Sequence, residues 1–148
     1  MTSLYAGFDD PAYAADREEL SALVDAYAAR VDELAKAGAF DADALAQLLE
    51  MEERMWVLGA DLTKFTSLSQ AVDAADAVAQ ASMGKLNAIF ARMALPTSLV
   101  CRWTAELELT EDDFARLPVL DAYRFLIGQM AERGRHMLSP EEENLFAR

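Results

Sequence analysis

The chain has 148 residues, 53% hydrophobic and 26% charged, which suits one domain with a real core and is too apolar for a disordered tail. Its 26 acidic residues outnumber 13 basic ones, so the formal net charge is −13 and the pI lies near 4.3. That balance argues against nucleic acid, whose phosphates need clustered Lys and Arg, and equally against anionic membranes.

The pattern is helical nearly throughout. Asp10 before Pro11 reads as an N-cap followed by a first-turn proline, and Leu20, Leu23, Val24, Tyr27, Val31 and Leu34 then recur at three- and four-residue steps. Gly38 is placed to end that helix. The next begins at Asp41, with Phe40 and Leu45 at hydrophobic-staple spacing, and Leu48, Met55, Trp56, Leu62 and Phe65 carry it to about Ser67. A third helix is expected from Ser69, its apolar stripe running from Val72 through Met83, Leu86 and Phe90 to Met93.

Pro96 interrupts the run, and Thr97 or Ser98 can cap a short helix holding Val100, Trp103 and Leu107. Thr110 with Asp113 is a capping pair for a small helix through Phe114. Pro118 opens another bearing Leu120, Tyr123, Leu126, Ile127 and Met130, which Gly134 is expected to close. No stretch alternates with period two over a strand's length, so the expected fold is all-α, an antiparallel bundle of three long helices plus shorter ones. The last residues begin a further helix: Ser139 is an N-cap, Pro140 suits the first turn, and Glu142 sits where a capping box wants its carboxylate. The expected organisation is a helical domain over residues 1–138, with 139–148 opening an element that leads into a further domain.

Cys101 is the one cysteine and lies in an apolar stretch, so it reads as a buried, inert thiol. The N-terminal stretch has no basic segment followed by an apolar run, and no apolar run reaches the ~18 residues of a membrane span. A reducing cytoplasm is the expected compartment.

Candidate chemistry is thin. A zincin helix needs two histidines four residues apart, and the chain has only His136, expected in the loop between Gly134 and Ser139. The carboxylate pairs Asp9-Asp10, Glu52-Glu53 and Asp112-Asp113 read as caps and solvated faces, because neighbours on a helix point about 100° apart. The six glycines are not spaced to cradle a phosphate. Trp56, Phe65, Phe90, Trp103 and Tyr123 fall at helical apolar positions and read as core. Phe125 lies off its helix's apolar face, a position open to burial by a neighbouring domain.

Leu4-Tyr5-x-x-Phe8-Asp9-Asp10-Pro11, opening a long helix, resembles the start of the oligoendopeptidase F group of M3-type zinc metallopeptidases. Trp103 with the acidic-apolar stretch from Glu106 to Leu109, followed by Leu120-Asp121-x-Tyr123-x-x-Leu126, resembles a later part of the same group. His136-Met137-Leu138-Ser139-Pro140-Glu141-Glu142-Glu143 is similar to the family's His-x-Leu-Ser-x-x-x-Glu stretch, which precedes its catalytic part. The resemblance implies the helical N-terminal domain of an intracellular endopeptidase acting on oligopeptides, forming one wall of the substrate channel. Its partners would be the catalytic domain of the same parent chain and the oligopeptide, with no nucleic acid and no membrane. Zinc is implied for the parent alone, since the His-Glu-x-x-His helix comes later in such enzymes. No catalytic, cofactor-binding or metal residue is therefore assigned here. Two other functions fit the residues: a free-standing helical interaction module, and a small-molecule pocket among Trp56, Phe90 and Trp103.

Overall fold

The computed structural model describes residues 4–137, which form seven α-helices and no strand. The bundle is all-α, as the sequence indicates. In chain order the helices are α1 (Pro11–Ala37), α2 (Ala42–Val72), α3 (Ala77–Ala91), α4 (Ala94–Glu106), α5 (Glu111–Arg116), α6 (Pro118–Ala122) and α7 (Arg124–His136).

Local chemistry sets the first two helices. The Asp10 carboxylate accepts from the Ala12 amide and Pro11 fills the first turn, while Gly38 ends α1 at φ +61, a left-handed conformation that suits glycine. Asp41 then accepts from the Ala44 amide and α2 departs antiparallel to α1. Leu20, Val24 and Val31 of α1 and Leu45, Leu48, Leu49 and Leu62 of α2 are almost wholly buried, each contributing about 1.5–3 kcal/mol.

Two polar ties cross this apolar seam. The Tyr13 hydroxyl lies 2.8 Å from Thr66 Oγ1, and Tyr27 donates to Glu52 Oε1 at 2.6 Å. From Tyr13 to Tyr27 is fourteen residues, and from Glu52 to Thr66 is the same fourteen, or about 21 Å along each helix. Fourteen residues is two heptads, so both ties fall on one face of each helix.

The segment before α1 is held by rings. Tyr5 and Phe8 both pack edge-on against Tyr13 and Phe65, with centroids 5.1–5.3 Å apart. Tyr5 also donates to Asp16 at 2.7 Å. The residues that carry the N-terminal resemblance thus have a structural task here: two rings anchor the segment, and Asp10 caps α1 while also accepting from the Ala6 amide.

Several boundaries differ from the sequence expectation. Helix α2 continues to Val72, and α3 starts only at Ala77, capped by Asp76, which accepts from the amides of Val78 and Ala79. Ser69 is interior to α2, its hydroxyl donating to the Phe65 carbonyl, and Val72 is 89% exposed. Helix α4 includes Pro96 in its first turn, where a missing N–H costs nothing, and Thr97 donates back to the Met93 carbonyl instead of capping. The helix expected from Pro118 is broken at Tyr123 into α6 and α7. Gly134 does not close α7 but lies inside it, buried where α7 crosses α4, and these two helices form the most intimate pairing of the bundle. His136 belongs to the end of α7, not to a loop. The helix start expected at Ser139 and Pro140 lies outside the described residues.

The small helices close one end. Thr110 and Asp113 form a full reciprocal capping box at α5. Arg116 binds Asp43 at the start of α2, and Arg124 binds Glu111 and Asp121 with its guanidinium 4.0 Å from the Phe114 ring centroid.

Candidate functional site

An open, largely apolar groove of about 500 Å³ lies between α2 and α3. Trp56, Gly59, Ala60, Thr63 and Lys64 of α2 line it together with Phe90 of α3. Helical spacing places Trp56, Ala60 and Thr63 on adjoining turns, and Gly59 lets the Phe90 ring settle beside α2: a Cβ there would lie 3.2 Å from the ring. Trp56 is held on its other side by an edge-on contact with Tyr123 at 5.5 Å. The Tyr123 phenol is itself fixed by Glu53, whose hydrogen bond pushes its pKa up. Trp56 and Phe90 nevertheless stay 42% and 37% exposed, so neither is the core aromatic that its spacing predicts.

Trp103 is elsewhere. It stacks at a tilt on Phe40, 5.3 Å away, and lines a separate cleft of about 460 Å³ with Leu34, Gly38, Phe40 and Leu99. The single pocket anticipated among Trp56, Phe90 and Trp103 is therefore split between two sites.

The buried titratable groups form a second cluster. Glu52 is buried, unlike the solvated carboxylate its Glu52-Glu53 pairing predicts. Burial pushes its carboxyl above the ordinary value, and the Tyr27 hydrogen bond opposes that rise. Burial and the Glu52 charge push the Tyr27 phenol far up. Cys101 faces the same region, its thiol raised by burial and partly relieved by Arg133 of α7, so it is a protonated packing residue. The other acids do what pairing leads one to expect: Asp10 and Asp113 cap helices, and Glu53 is exposed. His136 is exposed, and among the described residues no three His, Cys, Asp or Glu side chains converge as a metal site.

Charge is distributed unevenly. Residues 77–105, which span α3 and nearly all of α4, hold Lys85, Arg92 and Arg102 but none of the chain's 26 acids. The rest of the sequence therefore sets ten basic residues against all 26 acidic ones. On α3 the buried residues are Ala79, Ser82, Leu86 and Ile89, and besides Phe90 the exposed ones are Ala, Gly, Val, Gln and Asn around the single Lys85. The spacing that marks α3 as a helix carried no hint of this, because the signal lies in what is missing.

Among the described residues no helix is long and apolar enough to cross a membrane. Comparison with known proteins supplies no relative: no protein-family model matches the chain, and no curated protein or solved structure does either.

Proposed function

We propose that this chain is a non-catalytic helical domain that packs against another polypeptide, and that its parent is a zinc oligopeptidase of the kind the sequence resembles. One observation supports the packing role. Phe125, in the first turn of α7, is 80% exposed, and a phenylalanine left in water forgoes about 1.5–3 kcal/mol of burial. Tyr123, two residues earlier, turns onto Trp56, so Phe125 is the outward member of the pair.

In the parent this bundle would form part of the channel wall. That task is steric and calls for a rigid shape, which the crossed ties of α1 and α2 supply. The zinc implied for the parent would be held by its catalytic domain, since the His-Glu-x-x-His helix comes later in the enzymes that the sequence resembles. The second reading, a free-standing interaction module, draws on the exposed Trp56–Phe90 groove.

The encoding reading frame separates the two. Under the peptidase reading it continues for several hundred codons and includes His-Glu-x-x-His. The chain added in trans to the remaining parent then restores cleavage of a fluorogenic peptide, and Phe125→Ser weakens that restoration. A frame without the zinc motif would discard the peptidase reading and leave the module.

A further inference from the structure

We infer that the cleft between the ends of α1 and α4, walled by Trp103 and Phe40, binds a small organic cation of the alkylated-ammonium class. The inference does not depend on the peptidase reading. The cleft has a volume of about 460 Å³, inside the roughly 300–1,000 Å³ of small-molecule sites. Its two rings are inclined at 41° with centroids 5.3 Å apart, and both stay half-buried, so each keeps part of its surface for a ligand. Leu34, Leu99 and Leu107 extend the apolar lining.

Charge selects the occupant. Glu106 is the only charged side chain of the lining, and it is exposed. Among the described residues no Lys or Arg forms an ion pair with it. The final turns of two helices border the same space, with Ala35 and Gly38 at the end of α1 and Glu106 and Leu107 at the end of α4. A helix C-terminus carries about half a negative charge on carbonyls that lack an intrahelical N–H. On α1 the Gly38 and Ala39 amides both turn to the Leu34 carbonyl, so among the described residues the carbonyls after it receive no main-chain donor. Neither end answers that charge with a base inside the cleft. Lys36, the base of α1's last turn, does not line it and binds Asp32 at 2.8 Å, and the last turn of α4 has no base. Arg102, one turn before Glu106, does not line it either. The net charge of −13 adds a general attraction for cations.

The walls then decide which cation. A metal ion wants several oxygen ligands, and the lining offers one carboxylate among leucines and rings. A bare ammonium would have to shed tightly held water against those side chains. An alkylated ammonium spreads its charge over methyl groups, packs on Trp103 and Phe40 through cation–π attraction and apolar contact, and takes Glu106 as its counter-ion. That head group occurs on free molecules and on methylated lysines of proteins, and the chemistry of the cleft suits both.

Trp56→Phe leaves Trp103 as the one indole of the chain, so emission in that background reports the cleft. Choline should change this emission with a Kd on the order of millimolar. Its neutral tert-butyl analogue, with carbon in place of nitrogen, should bind about tenfold more weakly or worse. Glu106→Gln should weaken choline about threefold or more and Glu106→Lys should abolish its binding, while Glu108→Gln, which removes the same charge two residues on, should stay within about twofold. Phe40→Leu keeps an apolar staple opposite Leu45 and should weaken choline about fivefold. Unchanged far-ultraviolet circular dichroism would confirm that each variant is folded. An N-acetylated trimethyllysine amide that binds about threefold tighter than choline identifies a protein side chain as the source. Equal or weaker binding identifies a free molecule, and either result upholds the site. Emission that ignores choline up to about 100 mM overturns the inference. So does a neutral analogue that binds as well as choline, or an affinity that Glu108→Gln lowers as much as Glu106→Gln.

Discussion

Gly134 of α7 lies directly on the main chain of Cys101 in α4: a Cβ built on the glycine would sit 2.1 Å from the Cys101 carbonyl oxygen and 2.6 Å from its carbon. No real side chain tolerates such distances against backbone, so the α4–α7 crossing exists only because residue 134 is glycine.

Gly134→Ala should therefore cost more than an ordinary overpacking change, upward of about 3 kcal/mol, because two helices must separate. Gly128 offers the contrast. It lies on the exposed side of α7 with nothing near a built Cβ, so Gly128→Ala should stabilise by about 0.5–1 kcal/mol. Urea unfolding of the two variants measures both signs in one helix, and equal effects would contradict the described crossing.

Glu52 gives a pH dependence with a definite sign. Its folded carboxyl titrates above the ordinary value of 4.5. Below that value both states are protonated and no penalty arises. As pH rises past it the unfolded chain releases its proton first, and stability falls until the folded value is passed. Glu52→Gln removes the charge yet keeps an acceptor for Tyr27, so its stability relative to wild type should rise between about pH 4 and pH 7. A flat difference across that range would contradict the assignment.

Tyr27→Phe acts on the same pair from the other side. It removes the donor that holds the Glu52 charge, so the loss should be about 1.5–3 kcal/mol at neutral pH and smaller near pH 4, where the carboxyl is protonated. Chemical denaturation at the two pH values reads the difference directly.

The start of α3 can be located by two alanines. Asp76 accepts from two first-turn amides, so Asp76→Ala should cost about 1 kcal/mol. Ser69→Ala should cost little, because its hydroxyl only bonds back to a carbonyl already used inside α2. The reverse order of losses would restore the boundary expected from sequence.

These cases show what the sequence could and could not disclose. Asp10-Pro11, Gly38, Asp41 and the Thr110–Asp113 box announce themselves because a cap is satisfied within a few residues of its own position. The Ser69 start failed because one apolar stripe runs across two helices, and periodicity has no means of marking the turn at 73–76 between them. Gly134 looked like a stop because a glycine that ends a helix and one that admits a neighbouring backbone are spelled alike. The partner that distinguishes them, Cys101, is 33 positions away in the chain. Trp56 and Phe90 were legible as aromatics on helices, while their exposure depends on how α2 and α3 lean together. Glu52 was hidden by its exposed neighbour Glu53, since only the long-range Tyr27 contact says which of the two points inward.

The matched fourteen-residue intervals of α1 and α2 have a consequence for uniqueness. Sliding one helix past the other by a single turn, about 5.4 Å, would separate Tyr13 from Thr66 and Tyr27 from Glu52 at the same stroke. Two hydroxyls and a carboxylate would then be stranded away from water, whereas an all-leucine seam would accept several neighbouring offsets at nearly equal energy. The polar pairs act as dowels: they add modestly to the strength of the joint and leave it one alignment.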